Sequence, residues 1–295
     1  MTTDLKEVLQ HKAINGWGLF CLVSIPMCMV MIIASAGADL SGGAGVSKMI
    51  GFSVRCAVPF IFMVVAASSV QILFPGPFPM WWLRNRKYIG LCFAVAMFWQ
   101  ALFIFIMSNV YRDYYFADVY LLRDELEGSV GYIFLVAMVL TSFNIFRKHL
   151  NLKQWKLIHK SGLYFLWAYP FSVYWWNLFY YKNPEPIDYI FYASGFLAFA
   201  LRIAAWGKKR HAALAKGGID NAVPFGLKMP GYTLILFGLV VSVTGLYWQK
   251  PVTAFLTSPK WSADLVLWLP YWPLEPYLSL FIIGFGTLLV TKARD

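Results

Sequence analysis

Charge is scarce in this 295-residue chain: Asp, Glu, Lys and Arg make up 13% of it, against about 25% in a typical soluble domain. That scarcity excludes a soluble globular enzyme and a charged disordered segment. Histidine is scarcer, with His11, His149, His159 and His211 and no paired spacing. A desaturase-like histidine cluster for a di-iron site is therefore absent. Cys21, Cys28, Cys56 and Cys92 form no CxxC pair, and they read as small buried apolar residues rather than a disulfide framework or metal site. No HExxH, GxSxG, Walker or GxGxxG pattern occurs, so no motif marks a metalloprotease, a serine hydrolase or a nucleotide site.

Apolar length is what the chain has in abundance. Hydrophobic residues make up 60% and aromatics 19%, and the mean hydropathy is +0.60. A spanning helix needs about 20 mainly apolar residues. Eight segments meet that length, near 17–36, 49–73, 88–110, 128–146, 157–178, 187–206, 231–249 and 274–291. Backbone polar groups in lipid must be satisfied internally, which selects helices over isolated strands. The expected fold is all-α, a polytopic membrane bundle of about eight transmembrane helices. Met1–Asn15 is polar and mixed in charge, and the run after it is too long for a signal-peptide core. The first helix is expected to remain as an uncleaved anchor.

The formal net charge of +11 gains meaning once it is sorted by loop. With eight spans, one side receives both termini and the 74–87, 147–156 and 207–230 loops. With Lys156, Lys160 and Arg202 at the adjoining helix ends, that side holds 18 Lys/Arg and 4 Asp/Glu. The other side holds 6 Lys/Arg, including Lys182, and 10 acids, and Arg55 remains inside the second span. The positive-inside rule then places both termini in the cytoplasm. The reading is a multi-pass protein of a bacterial inner (plasma) membrane. The lipid bilayer is its first partner, and nothing calls for nucleic acid.

The expected organisation is a cytoplasmic segment 1–16, a six-helix block 17–206, a basic cytoplasmic loop 207–230 and a final helix pair with tail, 231–295. Two outer segments stand out. Tyr111–Glu127 mixes aromatics with Asp113, Asp118, Asp124, Glu125 and Glu127. Trp261–Tyr277 carries Trp261, Trp268 and Trp272 among three prolines. Aromatic belts at the membrane interface account for both, and a docking surface for an external partner is the sharper alternative.

Polar residues within the spans are few: Arg55, Gln71, Gln100, Asn144, Ser172 and Asn177. Arg55 would cost about 2.5–3.5 kcal/mol at the centre of an isolated span, but it lies near the outer end, where snorkelling relieves it. Gln100 lies midway along its segment and reads as a hydrogen-bonding link between helices. No span carries Asp or Glu near its middle, which argues against a proton-coupled transporter or pump.

Short patterns in segments two to five carry a family resemblance. Val54–Phe74 is followed by Leu83-Arg84-Asn85-Arg86-Lys87-Tyr88-Ile89-Gly90-Leu91. Leu140-Thr141-Ser142 closes the fourth segment, and Trp155-Lys156-Leu157-Ile158-His159 with Tyr164 opens the fifth. In this order they resemble the ferric-reductase-like transmembrane domain family, whose bacterial members include the haem-binding membrane subunit of the methionine-sulfoxide reductase system. The resemblance covers roughly 17–206. It implies haem b held by histidine pairs on the third and fifth segments, and electron passage across the membrane.

Carried over position by position, the implied ligands mostly fail. The third-segment histidine falls on Gln100 and the second fifth-segment histidine on Ser172; His159 alone is kept. Carboxamide and hydroxyl groups are poor iron ligands beside imidazole. Met97, one turn from Gln100, is a thioether that reads as packing. Two readings follow. In one, the family fold persists without its ordinary haem sites, as a membrane-anchoring, assembly or small-apolar-ligand-binding subunit. Its ligand would be a quinone, lipid or pigment in a cavity lined by Trp99, Trp167, Tyr169, Tyr174, Trp175 and Trp176, aromatics that equally serve as packing. In the other, the chain is an electron-transfer (oxidoreductase) subunit with unorthodox haem ligation at His159, working with a redox partner protein. No catalytic motif of its own is present.

Overall fold

The computed structural model describes residues 7–181, 183–216, 223, 225–262, 265 and 269–292. Lys182, Trp268 and residues 217–222 and 224 of the expected 207–230 loop lie outside them. Among the described residues the fold is all-α, without strands. The principal helices are α1 (Trp17–Gly37), α2 (Gly43–Leu73), α3 (Pro77–Val110), α4 (Leu122–Leu140), α5 (Leu152–Phe179), α6 (Pro186–Lys216), α7 (Phe225–Val243), α8 (Gly245–Leu256) and α9 (Leu278–Val290).

Each of the eight expected segments is helical over most of its length. Five helices, α1, α2, α3, α6 and α7, are long and apolar enough to cross a membrane, which makes this an integral, multi-pass membrane protein in contact with lipid. The count of eight is not reached by length and apolarity alone, for identifiable reasons. The start of α4 carries Arg123, Asp124, Glu125 and Glu127. The first turns of α5 hold Lys153, Lys156, His159 and Lys160, and aromatic residues with Asn177 dilute the rest. The last helix has 13 residues, about 20 Å at 1.5 Å per residue. Boundaries also move. The basic run Lys208–Arg210 continues α6 rather than opening a loop. The expected 231–249 span breaks at Thr244, where α7 gives way to α8.

The chain divides into two compact units. The first comprises Met1–Ala67 and Gly76–Trp167. Its helices alternate in direction, as contacts show. Trp17 meets Tyr88, Ser24 meets Cys92 and Cys28 meets Trp99, so α1 and α3 run parallel. Val46 and Met49 pack with Phe103 and Met107, while Val64 faces Gly90, so α2 runs antiparallel to α3. Gly131 faces Phe165 and Leu166, and Thr141 faces His159, so α4 and the first half of α5 are antiparallel. α1 leaves Leu22, Ile25, Met29, Ile32 and Ile33 exposed, as expected of a lipid-facing surface. Arg55 is exposed, in keeping with snorkelling.

The second unit comprises Ser68–Pro75 and Ala168–Asp295. Its tightest element is the antiparallel α7–α9 pair. A Cβ added at Gly238 would lie 2.9 Å from Ser279 O, and one at Gly286 would lie 2.6 Å from Gly231 O. Glycine here lets two backbones touch, which is how membrane helices associate when lipid removes the hydrophobic drive. Beside this pair, the second half of α5 packs antiparallel to α6 through Phe171–Tyr192, Tyr174–Phe191 and the 2.9 Å hydrogen bond from Asn177 to Asp188. Tyr192 donates to Ser242 O at 2.6 Å, tying α6 to α7. Lys208 Nζ donates to Ile72 O at 2.7 Å, closing a free carbonyl at the end of α2, where positive charge is also favoured.

Candidate functional site

Two of the patterns that carry the resemblance meet at one corner of the first unit. α4 ends at Leu140, and the Thr141 hydroxyl turns back to donate to Ala137 O at 2.6 Å. His159, two turns into α5, places Nε2 3.0 Å from Thr141 Oγ1. Trp155 lies one turn before it; its ring centroid is 4.5 Å from that of His159, and its Nε1 donates to Thr141 O at 3.2 Å. The Arg147 guanidinium covers the Trp155 ring at 5.2 Å and donates to Leu150 O at 2.7 Å. The leucine-threonine-serine and tryptophan-to-histidine patterns, joined by a bond between residues 14 apart, are thus two halves of one hydrogen-bonded corner.

The donor inventory assigns the His159 tautomer. A threonine hydroxyl has one proton, and that proton goes to Ala137 O. Thr141 Oγ1 therefore accepts, and His159 Nε2 carries the hydrogen. Only Nδ1, the nitrogen nearer the backbone, keeps a lone pair. His159 is half-buried, whereas His11, His149 and His211 are exposed.

The other two positions are occupied as well. The Tyr132 hydroxyl donates to Gln100 Oε1 at 2.9 Å and approaches Met97 O at 3.2 Å. Gln100 thus links α3 to α4. Ser172 belongs to the second unit, where it is buried and donates to Tyr169 O at 2.8 Å, a bond within its own helix. Gln100 and His159 share a unit, and Ser172 does not. Of the candidate cavity aromatics, Trp167, Tyr174 and Trp175 are buried, Trp99 and Trp176 are half-buried and Tyr169 is exposed. Among the described residues no group of three or more His, Cys, Asp or Glu is placed to hold a metal ion.

Sequence reasoning missed a second polar centre in the first unit. Asn85 is 1% exposed. Its Oδ1 accepts from Gly16 N at 2.8 Å, and its Nδ2 donates to Asn15 Oδ1 at 3.0 Å and to Trp81 O at 3.0 Å. Arg84 donates to Asn15 Oδ1 at 2.7 Å and to Leu9 O at 3.0 Å, and Trp81 Nε1 donates to Ile14 O at 2.9 Å. Together they latch the segment before α1 onto the start of α3. The available signal was Asn15-Gly16, a turn dipeptide directly ahead of an apolar run. Gly16 has φ 61°, a conformation open to glycine and costly elsewhere.

Comparison with protein-family models, curated proteins and solved structures finds no match.

Proposed function

We propose that the chain is a membrane-embedded anchoring or assembly subunit of ferric-reductase-like ancestry that has given up the ordinary haem sites. The observation that carries this reading is saturation. Gln100 is committed to Tyr132, and His159 Nε2 to Thr141. Gln100, whose carboxamide is already a poor iron ligand, is tied to the neighbouring helix, and the His159 nitrogen farther from the backbone is spent on Thr141. In this reading the two termini face the cytoplasm of a bacterium, the basic ends of α3, α5 and α6 sit at the inner leaflet, and the acidic Tyr111–Glu127 segment faces outward. Such an arrangement follows the positive-inside rule. The subunit holds a redox or assembly partner at the membrane, and a lipid, quinone or pigment is the ligand class suited to its aromatic interior.

The electron-transfer reading keeps one foothold, the free Nδ1 of His159 beside an aromatic ring. One measurement separates the two. The protein is purified from a haem-replete host, and its reduced-minus-oxidised absorption spectrum is recorded. The anchoring reading expects no b-type bands. A sharp α band at about one haem per chain, abolished in His159→Ala, overturns it.

A further inference from the structure

In the second unit, Glu275 is a buried carboxyl group without a well-aligned partner among the described residues. Its side chain is 0% exposed, and its carboxyl oxygens make no well-aligned hydrogen bond among the described residues; the donors that approach it are the Thr253 hydroxyl and its own backbone N–H. It lies in the short turn Glu275–Tyr277, just before α9 and outside the five helices able to cross a membrane. The turn packs against α8. From that helix come Gln249, 2% exposed, and Thr253. Gln249 Nε2 donates to Thr253 Oγ1 at 3.1 Å, and the Thr253 hydroxyl donates to Gln249 O at 3.0 Å. Thr253 is the hydroxyl that interacts with the Glu275 carboxyl, but its only proton is already committed. Trp272, 5% exposed, has a buried Nε1 that is also without an acceptor. The turn leading into this corner is held in an uncommon conformation, with Tyr271 at φ 59°.

Among the described residues no charge is at hand to balance an ionised carboxylate. On α8, Tyr247 and Lys250 are exposed, and α9 has no titratable residue. Tyr277 donates its hydroxyl to Ala168 O at 2.8 Å, and Tyr271 is in ring contact with Tyr169 and Tyr277. Among the described residues Glu275 makes no ion pair. An ionised carboxylate buried without a cation or a well-aligned hydrogen-bond donor is costlier than the neutral acid.

We propose that Glu275 is a proton-binding site, occupied at neutral pH, and that release of its proton to solvent requires the corner between α8 and the Trp272–Tyr277 segment to open. The proton neutralises a charge that no cation among the described residues balances. A neutral acid is tolerated in this corner beside Thr253, and a carboxylate is disfavoured. The proposal is independent of any haem and would stand or fall whichever reading of the His159 corner holds.

Infrared spectroscopy of the full-length protein in lipid nanodiscs tests it. The wild type is expected to show, at neutral pH, the carbonyl stretch of a protonated carboxylic acid, shifted in heavy water and absent in Glu275→Gln. The melting midpoint of the wild type should fall as pH rises from mildly acidic to alkaline, and that slope should be lost in Glu275→Gln. The sign follows because the folded state would hold a proton that the unfolded state has released. Should Glu275→Gln fail to fold, Glu275→Asp should move the acid band rather than abolish it. Absence of any acid band in the wild type, or a band unchanged by substitution, overturns the proposal. So does a carboxylate band that responds to sodium or ammonium, which would mark a cation site instead.

Discussion

The Tyr132 hydroxyl on α4 donates a 2.9 Å hydrogen bond to Gln100 Oε1 on α3. It joins two helices at the position where the resemblance would place a haem ligand. A double-mutant cycle of Tyr132→Phe and Gln100→Leu should give a coupling energy of about 0.6 kcal/mol, the average for such bonds in membrane helices. Unfolding in mixed detergent measures it, and a coupling of zero would mean that the bond does not form in the membrane.

Thr141→Val should leave His159 Nε2 without an acceptor while sparing the bond from Trp155 to Thr141 O. The expected loss is about 1–3 kcal/mol, the cost of stranding a shielded donor. The same unfolding assay reads it. His159→Ala/Thr141→Val should be less destabilised than the sum of the two single changes.

Gly238→Ala should be destabilising by about 1–3 kcal/mol, because its methyl group would overpack α7 against α9. Gly284→Ala is the matched control. An added Cβ there meets nothing within 4 Å, so the substitution should be neutral or stabilising by up to about 1 kcal/mol through helix propensity. Equal losses at both sites would contradict the described pairing.

Tyr115 offers a pH test outside the spans. Its burial, followed by a 2.5 Å hydrogen bond to Glu125 Oε1, pushes the phenol up to about 12. The folded state therefore keeps a proton that the unfolded chain releases near about 10. This stabilisation is fully present at neutral pH and disappears as pH rises from the ordinary tyrosine range through the folded value. Tyr115→Phe should flatten the alkaline limb of the stability profile. An unchanged limb would show that another group governs it.

Asn85→Ala should release the segment before α1. Gly16 N–H would lose its acceptor, and amide exchange over residues 9–16 should accelerate relative to the core of α3. The loss of stability should be about 1–3 kcal/mol. Exchange unchanged in that segment would show that Arg84 and Trp81 suffice as a latch.

The sequence made the helices legible because apolar length is a local property. The run from Trp17 to Gly37 needs no partner to be recognised. It was silent on what the polar residues do, because pairing across helices is not local. Gln100 was read as a link between helices, and its partner proved to be Tyr132 on the next helix. Asn85 passed as part of a basic loop, yet it is among the most buried polar residues. Glu275 was counted only as one outer-side acid, since composition does not register that both its oxygens are enclosed. The break at Thr244 leaves no mark in composition because α7 and α8 are both largely apolar; it is the non-helical backbone of Thr244 that makes the second helix a separate element.

The α7–α9 contact also sets an order of events during biogenesis. At about 20 Å, α9 falls short of the roughly 30 Å hydrocarbon thickness and is poorly suited to insertion alone. It is made after α7, whose Gly231 and Gly238 then wait in the bilayer with their backbone uncovered. Until α9 docks, that bare stripe is open to any other helix carrying small residues.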